Sequence, residues 1–140
     1  MAEGEKYYAG GCLCGQIRYE ARGEPRYQGL CYCSDCQKAS GSGFIPFLGF
    51  GAEQVEITGT TLQFTTRSAR GTEAVRNSCP FCGSLVFGGR VGEDDQHTIY
   101  AGTLDDSAAF TPQIAVFTRD RRPWTPVPDG LPAFDTLPSN

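Results

Sequence analysis

The stretch Cys31-Tyr32-Cys33-Ser34-Asp35-Cys36 packs three thiols into six residues, and the loop Lys38-Ala39-Ser40-Gly41-Ser42-Gly43 follows almost at once. Alternate residues of a strand share a face, so Cys36 breaks the period that Cys31 and Cys33 set. Three sulfurs that cannot share a strand face can still converge on one soft cation. Zinc accepts thiolates in tetrahedral geometry, and a site with three protein ligands keeps its fourth position for water or substrate. An open three-cysteine shell is the first expectation.

Four further cysteines lie outward of this triplet, in two knuckle-like pairs: Cys12-Leu13-Cys14-Gly15 and Cys79-Pro80-Phe81-Cys82-Gly83. Each is closed by a glycine, which lets the backbone bend back towards sulfur. Cys36 is followed instead by Gln37. The total of seven is odd, so no complete set of intrachain disulfides satisfies it. Pairing the two glycine-closed knuckles into one four-cysteine structural zinc site, and leaving the triplet as a separate incomplete shell, uses every cysteine. Cys-x-Cys is less usual than Cys-x2-Cys in structural sites, so the spacing points to metal more firmly than to this pairing. Disulfides and unrelated buried thiols are the other readings of the same residues.

The 140 residues suggest one domain with one core. A net charge of −4 gives no bulk attraction for a nucleic-acid backbone. The first residues, Met1-Ala2-Glu3-Gly4-Glu5-Lys6, lack the profile of a secretion signal, and no apolar run approaches the roughly 20 residues of a membrane span. The expectation is a soluble, cytoplasmic protein that binds neither nucleic acid nor membrane. A reducing compartment keeps its thiols available for metal.

Along the chain, glycine separates short strands. Gln16–Ala21 alternates polar and apolar residues, and Gly23-Glu24-Pro25 turns it back into Tyr27–Tyr32, which predicts a hairpin with Cys12 and Cys14 at one end and the triplet at the other. A helical turn is expected over Ser34–Ala39, with Ser34 as N-cap and Gly41 as stop, and its N-terminus would favour thiolate at Cys36. Phe44–Phe50 is the most apolar run, and Pro46 predicts an edge or bulged strand there. Val55–Thr58 and Leu62–Thr65 flank Gly59-Thr60-Thr61 and read as a second hairpin. Strands Glu73–Asn77 and Ser84–Phe87 run into and out of the second knuckle; His97–Tyr100 and Ile114–Phe117 are the last strands expected. His97, the only histidine, reads as a surface or hydrogen-bonded strand residue. Residues 1–122 form the expected zinc-binding domain. The proline-rich residues 123–140 form an extension packed on it or trailing from it, with Trp124 and Phe134 as anchors.

Together, Gly10-Gly11-Cys12-Leu13-Cys14-Gly15, Cys31-Tyr32-Cys33-Ser34-Asp35-Cys36-Gln37-Lys38-Ala39-Ser40-Gly41, Cys79-Pro80-Phe81-Cys82-Gly83 and Gly102-Thr103-Leu104-Asp105 resemble the glutathione-dependent formaldehyde-activating enzyme family, also called the GFA or CENP-V/GFA domain. The resemblance spans nearly the whole chain, with several spaced motifs in one order. It implies a mainly β, Mss4-like (β-tent) fold, a structural zinc on Cys12, Cys14, Cys79 and Cys82, and a catalytic zinc on Cys31, Cys33 and Cys36. It also implies a carbon-sulfur lyase activity, the reversible joining of formaldehyde and glutathione into S-hydroxymethylglutathione. This chain has Tyr32 where many members have histidine.

Zinc on three thiolates could take a substrate thiol as its fourth ligand or polarise the oxygen of a hemithioacetal. Lys38, Arg67, Arg70 and Arg76 are candidates to offset the thiolate charge or to bind substrate carboxylates; each taken alone also reads as solvated surface charge. Two other classes fit parts of the pattern. A non-catalytic zinc-binding module could carry a small thiol or a protein partner, and a redox protein could cycle Cys33-Ser34-Asp35-Cys36 as a dithiol. The adjacent Cys31 and the lack of a βαβ pattern count against the redox reading.

Overall fold

Ten strands and one α-helix form among the residues that the computed structural model describes, 5–68 and 71–138. Strands β1 (Tyr7–Gly11), β2 (Arg18–Arg22) and β5 (Val55–Thr58) make a small antiparallel sheet with β2 central. A larger sheet has the order β10-β3-β4-β9-β8-β7-β6, from β3 (Tyr27–Cys31), β4 (Ile45–Gly51), β6 (Leu62–Arg67), β7 (Glu73–Ser78), β8 (Leu85–Gly88), β9 (Gln96–Tyr100) and β10 (Ile114–Val116). Every pairing is antiparallel except β10 with β3. Helix α1 (Ser34–Ser40) is short. This is the mainly β architecture that the resemblance implied. No described helix is long and apolar enough to cross a membrane.

The principal core lies between the two sheets. Tyr8, Ile17, Tyr19 and Ala21 from the small-sheet side meet Leu48, Phe50, Phe87 and Ile99 of the large sheet, with Tyr8 and Phe50 edge to face at 5.5 Å. Residues alternating with these on the large sheet are consequently turned to its other face. Phe47, Gly49, Thr98 and Tyr100 occupy that face, aligned by the pairs Phe47↔Tyr100 and Gly49↔Thr98.

Both predicted hairpins are absent. Strands β2 and β3 fall in different sheets, as do β5 and β6, so Gly23-Glu24-Pro25 and Gly59-Thr60-Thr61 carry the chain from one sheet to the other. Local turn signals say that the chain reverses; they do not say whether the flanking strands pair. The proline expectation also needs correction, because β4 is central rather than at an edge. Its ladder to β9 begins only at Phe47, so Pro46 is paired on the β3 side alone.

Two polar latches join these parts. Thr103 Oγ1 donates to Tyr100 O at 2.7 Å and meets the Tyr19 hydroxyl at 2.7 Å, Asp105 N donates to Ala9 O, and Arg18 holds the Asp105 carboxylate. The Gly102-Thr103-Leu104-Asp105 motif thus ties the small sheet to the end of β9. Gly10 faces it so closely that a Cβ there would fall 2.2 Å from Thr103 O. The second latch is Asn77, fully buried at a register shift between β7 and β8. Its amide donates to Phe87 O and Gly89 O, and its carbonyl accepts from Thr61 Oγ1.

Because those bonds satisfy two backbone carbonyls, Asn77→Ala leaves buried acceptors without donors. We expect a loss of about 3 kcal/mol, read as a lower urea midpoint at unchanged slope in the metal-loaded protein. A midpoint within error of the wild type would show that the latch is dispensable.

Candidate metal centre and cleft

Cys12, Cys14, Cys79 and Cys82 bring four sulfurs within 4.8 Å of one another although the two pairs are far apart in sequence. The first pair lies in the turn from β1 to β2 and the second in the turn from β7 to β8, so each sheet supplies half the cluster. Cys12 Sγ and Cys14 Sγ are 3.7 Å apart, as are Cys14 Sγ and Cys79 Sγ. A tetrahedron with Zn–S bonds of about 2.3 Å has edges of about 3.8 Å, whereas a disulfide bond is about 2.05 Å long. All seven cysteines are free thiols. Backbone N–H groups point at the sulfurs, from Ile17 to Cys12 at 3.2 Å and from Phe81 and Cys82 to Cys79 at 3.4 Å. The turns take this shape because Gly15 and Gly83 have φ of 86° and 77°, a region where a Cβ is strained. Hydrogen bonds from the Ser84 hydroxyl and backbone hold Cys82 down at about 5, as a thiolate ligand requires.

Cys31, Cys33 and Cys36 form the second cluster, again within 4.8 Å. Cys31 ends β3, Cys33 caps α1, and Cys36 lies in the first turn of that helix. The predicted cap Ser34 is thus displaced by one residue. Cys33 Sγ accepts from Cys36 N at 3.3 Å, so the cluster itself starts the helix, while Gly41 ends it in the left-handed region as expected. The negative charge settles on Cys33, lowered to about 2 because the Cys31 and Cys36 thiols both donate to it, with the Cys36 N–H and Arg76 assisting against burial. Cys31, as donor to both neighbours, is pushed far up. The neighbouring thiols thus direct the charge to Cys33 rather than to Cys36, with the Cys36 N–H at the start of α1 a smaller contribution.

Gln37 fixes this cluster, a role the sequence did not disclose. Its side-chain amide donates to Tyr32 O at 2.8 Å and to Asp120 O at 2.9 Å, and its carbonyl accepts from Arg122 Nε. Tyr32 turns away from the sulfurs. It is fully buried, donates to Pro126 O at 3.0 Å and stacks near Phe44, so it anchors the chain's C-terminal stretch. Of the expected anchors there, Phe134 packs beside Phe117 and its backbone bonds Ala115, but Trp124 is 70% exposed. Thr125, Val127 and Leu131 are the buried or packed residues in its place.

The three-cysteine cluster opens onto a cleft of about 590 Å³, and the four-cysteine cluster does not. The cleft lies over the large-sheet face that carries Phe47, Thr98 and Tyr100, and Arg76, Phe117 and Leu137 complete its walls around the cysteines. Phe117 has φ of 56°, the one described non-glycine residue in the left-handed region, a strain that surrounding structure must hold. Among the four cationic candidates, Arg76 reaches the site: its Nη2 is 4.0 Å from Cys36 Sγ, and Nη1 donates to Thr66. Lys38 is exposed on α1 and Arg67 donates to Gly71 O; neither lines the cleft. Arg70 lies outside the described residues. Arg90 does line it, paired with Glu73 and Asp94. His97 is buried against Phe87 with Nδ1 3.1 Å from Gly88 O, a hydrogen-bonded strand residue that belongs to neither sulfur cluster.

A family model described as glutathione-dependent formaldehyde-activating enzyme matches residues 7–120. A solved structure of a Rhodobacter sphaeroides protein is similar over 69% of this chain and 87% of that one, with a TM-score of 0.50 at 18% identity, a likeness of fold alone. No curated protein matches the chain.

The two clusters can each hold a metal ion, and they should respond differently to ligand loss. Cys79→Ser breaks the junction between sheets and should abolish soluble folded protein, since structural zinc in small modules contributes on the order of 10 kcal/mol. Cys36→Ser should leave folded protein with one metal ion fewer. Circular dichroism and metal counting on the same samples check both, and equal collapse of the two variants would contradict the division.

Proposed function

The chain belongs to the glutathione-dependent formaldehyde-activating enzyme family, and on that premise we propose that it is a zinc-dependent carbon-sulfur lyase acting on a thiol/aldehyde adduct, with glutathione and formaldehyde as the leading pair. The observation that carries this reading is the asymmetry of the clusters: four sulfurs that make a full tetrahedral set where the turns of the two sheets meet, and three that face a cleft. The first would hold a structural ion and the second a catalytic one. Zinc held by Cys31, Cys33 and Cys36 would supply a position for a substrate thiolate and Lewis acidity towards an aldehyde or hemithioacetal oxygen.

The remaining roles fall to the chain. Arg76 offsets the negative charge of the thiolates, because its guanidinium is half-buried and directed at Cys36. Lowering that charge favours entry of an anionic thiol. Phe47 and Phe117 give the cleft apolar walls that limit water around the reacting atoms. Lys38 and Arg67 would act on substrate carboxylates only by reaching in from outside the described lining. Residues 1–122 carry the metal chemistry in this reading, with the proline-rich extension against them where Ala133 bridges Ala115 and Leu137 lines the cleft. A reducing, cytoplasmic setting suits the free thiols.

Calorimetric titration of the metal-loaded protein with glutathione and S-methylglutathione tests the reading. Glutathione should bind at least tenfold more tightly, because methylation removes the ionisable thiol, and added formaldehyde should give adduct faster than in protein-free solution. Equal binding of the two would remove sulfur from recognition. Binding without acceleration would favour a non-catalytic thiol carrier.

A further inference from the structure

Tyr100 stands at the end of β9, on the face opposite the core residues His97 and Ile99, and lines the cleft together with the three cysteines. Its backbone is held on both sides of this position. Phe47 pairs with it across the β4–β9 ladder, and Thr103 Oγ1 donates to its carbonyl at 2.7 Å. The ring thus rides on a rigid strand end rather than on a loop. Room for its tip comes from Gly88 on the neighbouring strand, where a Cβ would lie 3.2 Å from the Tyr100 oxygen.

The hydroxyl is the notable feature. Of the two tyrosines that line the cleft, Tyr27 has its hydroxyl engaged, with Thr98 and Gln96. That of Tyr100 has no hydrogen-bond partner among the described residues. This oxygen is not among the fully enclosed unpaired side-chain atoms, so it is accessible from the cleft and can donate to an acceptor that a ligand brings. Beside it, Arg76 Nε is fully enclosed and also unpaired, so positive potential at this end of the cleft is not spent on a protein carboxylate. Burial raises the phenol's pKa, which keeps the O–H a donor at neutral pH.

We propose that Tyr100 is a catalytic residue, the donor that hydrogen-bonds the aldehyde's carbonyl oxygen and protonates it as the carbon-sulfur bond forms. The assignment rests on the lyase reading above. In the forward direction the substrate thiol gives its proton to solvent, and the sulfur electron pair forms the bond to the carbonyl carbon. The C=O π pair moves to oxygen, which takes the phenolic proton, and the phenolate recovers a proton from solvent. Thiol plus aldehyde give the hemithioacetal with no oxidant or reductant. The reverse step runs through the same phenolate acting as base.

Tyr100→Phe and Tyr27→Phe, compared in the metal-loaded protein, provide the test. Tyr27 also lines the cleft, but its hydroxyl is already satisfied by Thr98 and Gln96. Exchange NMR with labelled formaldehyde and glutathione gives the rate above the uncatalysed one, while calorimetry gives glutathione affinity. Tyr100→Phe should keep both metal ions and bind glutathione within about threefold of wild type, yet lose about 100-fold in catalysed rate; Tyr27→Phe should retain at least ten times more activity than Tyr100→Phe. A Tyr100→Phe rate within threefold of wild type overturns the assignment and leaves the lyase reading standing. A matching loss of glutathione affinity overturns it too, as the sign of a binding role. Absence of acceleration by the wild-type protein would instead remove the lyase reading, and this assignment with it.

Discussion

Sulfur atoms from two turns, one in each sheet, meet at a separation of 3.7 Å, and this contact is the constraint on which the rest of the molecule depends. The small sheet has three strands, and the sulfurs join its β1–β2 turn to the β7–β8 turn of the large sheet beside the principal core. A metal ion held between the knuckles would close a loop of more than sixty residues, a strong restriction on the unfolded chain. The Thr103 and Asn77 latches then refine a geometry that the sulfurs set.

Once the sheets are joined on one side, the opposite face of the large sheet is left for chemistry. Small residues make it concave. A Cβ at Gly49 would strike the Tyr27 ring at 1.9 Å, and one at Gly29 would meet Phe47 at 2.8 Å, so aromatic rings lie directly over bare backbone. The cysteine triplet borders this hollow because β3 ends there and α1 begins on a sulfur cap. Fold and site are coupled through β9, whose His97 and Ile99 pack the core while Thr98 and Tyr100 face the cleft.

Much of this was legible in the sequence because cysteine spacing is a local signal with a global meaning. Seven thiols divide into four and three only if two distant knuckles meet, and the fold brings them together. Most strands were visible from alternation, and Gly41 marked the helix end. Strand partners were not visible, because a reversing turn such as Gly59-Thr60-Thr61 looks the same whether its strands pair or part. Pro46 misled for a related reason: a central strand tolerates proline where one neighbour's ladder has not yet begun. In the site, Arg76 stood out as one of four cations with no means of ranking them, since strand register alone brings it to Cys36. Tyr100 and Gln37 gave no signal at all; an alternating strand tyrosine and a helix glutamine are ordinary residues until their neighbours are known.

The central claim is that one sulfur cluster is closed and the other is open to a thiol. Cobalt(II) exchanged into the protein reports sulfur ligation directly through its charge-transfer absorption. The account predicts two cobalt ions per chain, and on titration with glutathione a rise in sulfur-to-cobalt absorption corresponding to one added thiolate per chain, absent in Cys36→Ser. Two ions whose spectra ignore glutathione, or a single ion per chain, would contradict it.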